Sequence, residues 1–423
     1  MCEHFASDGW RSARWALSLL LLEDDLVTGT SIFTIAVHAG ERASRPDFKP
    51  VATPIYHASS YVYEDPETLD AVFAGTRPGP VYARYGNPTN AALEAAVAAL
   101  EGGEAALSYS SGMAAIHGAL LGAGARAGRT VVAAQDVYGA THTLLRELFS
   151  SQAVVTHFVD VTDLESVAHA LSESEPVALL VETISNPLLK IADLPRLAEM
   201  AHHSGAALIV DNTFATPYLC RPLIHGADYV VHSATKYLGG HGDVLGGVVV
   251  TSDVRRARLN ELNKLIGSNL GPQEAWLILR GLKTLPLRMQ RQCESAAAVA
   301  RWLAKHPKVS GVNYPGLPEH PQHPLAARLL ERGAFGAMIS FDLRGGDRTA
   351  VFRFLGALGL ILPGTTLGDV YSLVLYPAMS SHRSLPPEIR QGIGIGDALV
   401  RLSIGIEDPA DILADLGEAL EAA

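Results

Sequence analysis

Seven short, mainly apolar runs recur between residues 105 and 251, and each is continuous rather than alternating. They cover 105–109, 130–134, 154–159, 177–182, 206–211, 228–233 and 247–251. Runs of this length predict strands covered on both faces. Segments with helical spacing lie between several of them, at 139–149, 164–171 and 194–204. Such alternation predicts an α/β fold with a mainly parallel seven-stranded sheet and helices on both sides. Upstream, 89–100 is an alanine-rich helix pattern closed by Gly102-Gly103, a C-terminal stop signal.

The pattern changes near residue 270. Residues 272–305 read as one long helix, interrupted or kinked at Pro286. A proline-rich loop (315–324), a strand-like stretch (337–343) and short alternating elements follow, predicting a smaller α/β C-terminal domain. The expected division is an N-terminal extension (1–30), an arm (31–90), a large domain (91–270) and a C-terminal domain (271–423). No internal repeat or low-complexity linker interrupts this plan.

Composition narrows the function classes. Hydrophobic residues make up 48% of the 423 positions, enough for a large core. A net charge of −11, with arginines scattered apart from a short cluster at 255–258, argues against nucleic-acid binding. Cys2, Cys220 and Cys293 are too far apart for a zinc knuckle or redox pair, and suit a reducing cytoplasm. No HExxH or close ligand set indicates a metal. The apolar run 15–22 follows Arg11 and Arg14 but runs directly into Glu23-Asp24-Asp25. It lacks a small-residue cleavage pattern and falls short of the roughly 18 residues a membrane span needs. Residues 1–30 read as a non-catalytic extension, frayed or translated from a wrongly assigned start.

Seven lysines occur, and one stands apart. Lys236 follows the apolar run 228–233 within Ser233-Ala234-Thr235-Lys236-Tyr237 and precedes Gly239-Gly240. A lysine at the C-terminal end of a buried strand sits where open α/β sheets bind ligands. Partial burial lowers its pKa and makes it nucleophilic toward an aldehyde; the alternative is a structural lysine. Run 206–211 ends in Asp211-Asn212-Thr213, placing a carboxylate at the same edge. Aspartate can keep the ring nitrogen of pyridoxal phosphate protonated, although strand-end aspartates also cap turns. Ser110-Ser111-Gly112-Met113 follows run 105–109 and opens an apolar helix, whose free N–H groups suit a phosphate. An ordinary N-cap is the competing reading. Ser233 and Thr235 add hydroxyls beside the lysine. Gly122-Ala-Gly124-Ala-Arg-Ala-Gly128 imitates a dinucleotide fingerprint, but it follows a helix and precedes a strand, the wrong order. A non-catalytic binding protein on this fold would require an unreactive Lys236.

These pieces, in this order, resemble the Cys/Met-metabolism family of pyridoxal-phosphate enzymes. That family includes cystathionine γ-lyase, cystathionine γ-synthase, methionine γ-lyase and O-acetylhomoserine sulfhydrylase. The resemblance spans about residue 35 to the C-terminus. It rests on Tyr82-Ala-Arg84-Tyr-Gly-Asn-Pro-Thr89, Leu100-Glu-Gly-Gly-Glu104, Ser111-Gly-Met113, Val137-Tyr-Gly139 and Glu182-Thr-Ile-Ser-Asn-Pro187. Val210-Asp-Asn-Thr213, His232-Ser-Ala-Thr-Lys-Tyr237 and Arg401-Leu-Ser-Ile-Gly-Ile-Glu-Asp408 complete it. The resemblance implies fold type I, like aspartate aminotransferase, with pyridoxal 5′-phosphate as cofactor. It implies that Lys236 forms the Schiff base and moves protons, and that Asp211 pairs with the ring nitrogen beside Thr213. Tyr138 would stack on the ring and assist at the leaving group, while Gly112, Met113, Ser233 and Thr235 hold the phosphate. Arg401 would bind the α-carboxylate of a small amino-acid substrate, helped by Asn186 and the backbone near Thr366. Tyr82 and Arg84 would reach a neighbouring subunit's cofactor phosphate, implying shared active sites in a homotetramer.

The shared chemistry covers both γ-elimination and γ-replacement. Methionine γ-lyases usually carry a cysteine where Ala140 follows Tyr138-Gly139 here. Cystathionine-specific members often carry a glutamate where Thr365 stands in Gly364-Thr365-Thr366-Leu367-Gly368-Asp369; Tyr371 replaces a common acidic residue. The reading leans toward a cystathionine-type γ-lyase of broad specificity, with cystathionine γ-synthase next and methionine γ-lyase behind it.

Overall fold

The computed structural model describes residues 31–39, 50–383 and 387–423; the expectation for 1–30 and the position of Lys49 lie outside the described residues. Seven strands form the large sheet: β1 (Ala105–Tyr109), β2 (Thr130–Ala134), β3 (Val155–Val159), β4 (Ala178–Glu182), β5 (Ala207–Asp211), β6 (Tyr229–Ser233) and β7 (Gly247–Thr251). Their order is β1-β7-β6-β5-β4-β2-β3, and only β7 runs antiparallel to its neighbours. Alternate residues of one strand enter opposite cores: Leu179 and Val181 pack on one face, Ala178 and Leu180 on the other. That two-sided burial explains the continuous apolar runs.

The exception is β3. It pairs with β2 alone at the sheet edge, and its burial alternates, with Val155 50% exposed. Run 154–159 was expected to be covered on both faces; as an edge strand it is not.

The helix before β1 spans Pro88–Glu101. Asn87 caps it by accepting from Thr89 N–H at 2.8 Å, and Pro88 occupies a first-turn position where no backbone donor is lost. Gly102 ends it with φ 70°, a left-handed conformation that glycine adopts without a Cβ penalty. The glycine-rich stretch 122–128 does join a helix (Gly112–Gly122) to a strand, β2.

Residues 272–305 form two helices, Pro272–Leu282 and Leu285–Leu303, rather than one. The break falls at Lys283-Thr284, and Pro286 sits in the first turn of the second helix, where its missing N–H is tolerated. A five-stranded sheet follows, of order β10-β11-β12-β9-β8, with β8 (Val309–Asn313), β9 (Met338–Leu343), β10 (Leu362–Pro363), β11 (Leu373–Leu375) and β12 (Leu399–Ser403). It has its own core, including Phe341, Phe354 and Leu416. Among the described residues no helix is long and apolar enough to cross a membrane, and no cluster of His, Cys, Asp or Glu is placed to hold a metal ion.

Register determines what meets at one edge. Glu182 lies opposite Asp211, Ser233 opposite Gly247, and Gly247 opposite Tyr109. The ends of β1, β4, β5 and β6 therefore share the edge at which β7 begins.

Candidate active site

A cavity of about 420 Å³ opens over this edge. Lys236, Asp211, Thr213, Ser233, Thr235, Gly112, Met113, Tyr138, Asn186 and Arg401 all line it. Residues from Ser111 to Arg401 thus converge on one cavity.

Lys236 lies in the turn after β6, its N–H donating to Ser233 O at 3.1 Å. Its Nζ donates to Thr366 Oγ1 at 2.9 Å. Burial, followed by the nearby Arg401 charge, pushes its pKa below the usual lysine value, while Asp369 opposes the shift. Lys190, Lys264 and Lys308 are instead held by carboxylates, at 2.9, 2.7 and 3.5 Å.

Asp211 ends β5. Its Oδ1 accepts from Thr213 N–H at 3.0 Å and from Thr213 Oγ1 at 2.5 Å. Desolvation raises its pKa despite these bonds and despite His232 nearby. A cationic partner over the cavity floor would remove that penalty.

The phosphate end is built by close packing. Ser111 caps the helix Gly112–Gly122 by accepting from Ala114 N–H at 3.1 Å. A Cβ on Gly112 would stand 2.7 Å from Ser233 Cβ and 3.0 Å from its Cα, so only glycine lets this helix start approach β6 so closely. Thr235 Oγ1 is already engaged with Gly246, donating to its carbonyl at 3.2 Å and accepting from its N–H at 3.0 Å.

Arg401 comes from β12 in the C-terminal domain. It is 3% exposed, and its Nη1 donates to Asn186 Oδ1 at 2.8 Å. Nη2 reaches Thr366 O at 3.4 Å, while Nε is buried without a partner among the described residues. Burial lowers its pKa to about 10. A buried guanidinium whose Nε is unpaired and whose Nη2 makes one long contact is suited to a carboxylate.

Glu182, which opens one of the motifs but was given no role, also lines the cavity. Its Oε1 accepts from Tyr138 N–H at 2.6 Å and its Oε2 from Asn186 N–H at 3.1 Å, so it anchors two cavity segments at once. Burial first, then the Asp211 charge, raises its pKa well above the usual glutamate value. The signal was available: like Asp211, it is a carboxylate ending an apolar run. Ile184, Phe214 and Leu245 supply apolar walls that spacing did not reveal. Thr366 contacts Lys236 and Arg401, but Thr365 and Leu367 are the loop residues that face the cavity.

Tyr82 and Arg84 do not join this cavity. Arg84 donates to Lys264 O and stacks over Tyr85 at 4.9 Å, while Tyr82 is 44% exposed. They lie on a different surface of the same chain.

A buried amine, a desolvated carboxylate one strand away, a helix start closed on a serine and a buried arginine meet at one cavity, a set that suits an aldehyde cofactor. The chain belongs to the Cys/Met metabolism family of PLP-dependent enzymes, whose model matches residues 33–421. It is 44% identical to an L-methionine gamma-lyase of Fusobacterium nucleatum over 391 residues, 92% of this chain and 97% of that protein. It is 43% identical to a cystathionine gamma-lyase of Bacillus subtilis over 389 residues, 92% and 98% of the two. Among solved structures, cystathionine gamma synthase from Xanthomonas oryzae pv. oryzae in complex with cystathionine superposes with a TM-score of 0.87. The two are 40% identical, with 93% of this chain and 99% of that one covered. The fold is the α/β type of these relatives, and the cofactor is pyridoxal 5′-phosphate. The residues present fit it: an amine, a carboxylate, a tight helix start and the unspent arginine edge surround one cavity.

Proposed function

We propose that the protein cleaves a carbon–sulfur bond by γ-elimination, acting on L-cystathionine or a related sulfur amino acid. The carrying observation is Arg401, which lines the cavity that also holds Lys236 and whose Nε has no hydrogen-bond partner among the described residues. The bound cofactor supplies the electron sink for charge developing at the substrate Cα. Arg401 binds the α-carboxylate, and Asn186 holds the guanidinium in position. Lys236, with its amine made less basic by burial, would take the proton from Cα, give it up to the cofactor's C4′ carbon, and then, neutral again, take a proton from Cβ. Tyr138 covers the ring and delivers a proton at the leaving sulfur. Asp211, fixed by Thr213, holds the proton on the ring nitrogen. The N–H groups of Gly112 and Met113, with the Ser233 hydroxyl, would hold the phosphate, and Thr235 would join them by turning its hydroxyl from Gly246 O. Ile184, Phe214 and Leu245 keep water from the reacting carbons.

Tyr82 and Arg84 serve a neighbouring subunit's site in a homotetramer, acting in the cytoplasm. The exposure of Val51, Tyr56, Val62, Phe73 and Tyr82 supports an interface on this arm, because a lone subunit would leave that apolar surface in water. Thr365 at the cavity, in the place of a distal glutamate, favours broad specificity over strict cystathionine recognition. The same machinery performs γ-replacement, so product analysis decides. Each of L-cystathionine, L-methionine and an O-acylated homoserine is supplied with and without cysteine. Release of 2-oxobutanoate and cysteine from cystathionine is expected. Cystathionine formation from the ester, with negligible cleavage, would overturn the lyase in favour of a synthase.

A further inference from the structure

Beneath the cavity floor lies a hydrogen-bonded set that the mechanism above does not use: Thr183, Asn212, His232 and Glu101. All four are 0% exposed. Three of them are sequence neighbours of cavity residues: Thr183 follows Glu182, Asn212 follows Asp211, and His232 precedes Ser233. Successive side chains alternate along extended backbone, which turns these three away from the ligand side. Thr183 Oγ1 donates to Asn212 Oδ1 at 2.7 Å, and Asn212 Nδ2 donates to Glu101 Oε1 at 2.9 Å. His232 Nε2 lies 2.6 Å from that same oxygen. One carboxylate oxygen thereby ties the ends of β5 and β6, and Asn212 extends the set to the end of β4.

Stability alone is a poor reason for this arrangement. Glu101 is the last residue of the helix Pro88–Glu101, where the helix dipole disfavours negative charge. Glu101 Oε2 and His232 Nδ1 are buried without hydrogen-bond partners among the described residues, and unmet polar groups are costly. An apolar plug would serve packing better. We propose that Glu101 is a positioning residue: it fixes the mutual placement of the strand ends bearing Glu182, Asp211 and Ser233, and so aims Asp211 at the cofactor ring. The inference rests on the cofactor site and not on the choice of substrate.

The test reads pyridoxal-phosphate binding by the full-length apoprotein without substrate, together with the visible band of the bound cofactor and the apoprotein melting temperature. Glu101→Ala should weaken binding by roughly 10–100-fold, the range found when partners orienting metal ligands are lost, and should shift the band. Glu101→Gln keeps an acceptor oxygen for the same donors and should recover most of the affinity. Asn212→Ala removes the tie to β5 and should weaken binding to a smaller extent, whether or not Glu101→Ala folds. Asp228→Asn is the control: Asp228 sits just before β6, at the opposite sheet edge, accepting from Leu208 N–H at 2.8 Å. It should lower the melting temperature alone. Parental affinity and band in Asn212→Ala, or in a folded Glu101→Ala, would overturn the proposal. So would equal weakening by Asp228→Asn.

Discussion

Arg401→Lys preserves the charge but removes the fork, which isolates what the guanidinium geometry contributes. In the structure Nη1 is spent on Asn186 and Nη2 makes one long contact with Thr366 O, leaving the Nε–Nη2 edge for two carboxylate oxygens. An ammonium supplies a point charge in place of that edge, so at least one charge-assisted hydrogen bond is lost. Such a bond contributes about 1.5–3 kcal/mol, and at about 1.4 kcal/mol per factor of ten this becomes roughly 10- to 150-fold in substrate binding. The α-carboxylate does not change during C–S cleavage. Its bond is therefore equally strong in the ground and transition states, and the loss should fall on KM with kcat nearly preserved. Steady-state release of 2-oxoacid, followed against substrate concentration, separates the two parameters. Bound pyridoxal phosphate should be unchanged. An unaltered KM, or a collapse of kcat at constant KM, would refute the placement of the carboxylate on Arg401.

Two further outcomes follow from the same geometry. Gly112→Ala places a methyl 2.7 Å from Ser233 Cβ and against its backbone, an overpacking that costs about 1–3 kcal/mol. Weaker pyridoxal-phosphate binding in equilibrium titration is expected, and parental affinity would show that the helix start does not form the phosphate cradle. Lys236 has a folded pKa below its unfolded value, so between the two the unfolded chain binds more protons and stability rises with pH. Apoprotein melting curves for the parent and Lys236→Met should therefore converge as pH climbs through that window toward the ordinary lysine value of 10.5; a constant gap would contradict the desolvated amine.

Local pattern carried the large sheet well, because burial on both faces writes itself into a strand as an uninterrupted apolar run. Runs 105–109, 130–134 and 247–251 match their strands to the residue, and the others differ by one position at the start. It failed at β3, where Thr156 and His157 interrupt the apolar run and the edge position leaves Val155 exposed; neighbours along a chain do not reveal which strand lies outermost. Asp211 and Lys236 were legible from their strand ends. Glu182 satisfied the same rule; it lies opposite Asp211 and accepts from the backbone N–H groups of Tyr138 and Asn186. Arg401 was different in kind. It reaches Asn186 across 215 positions, from a second sheet, and no local period encodes that meeting; only resemblance to relatives pointed to it. Likewise, Thr183, Asn212 and His232 look like ordinary polar residues until the fold brings them to Glu101.

The most direct test of the central claim is borohydride reduction of the protein with its cofactor, followed by mass mapping of the digested peptides. A phosphopyridoxyl adduct on Lys236, and on none of the other six lysines of the chain, is the expected result. A stoichiometric adduct on another lysine, or protein that cannot be reconstituted with pyridoxal phosphate, would contradict it.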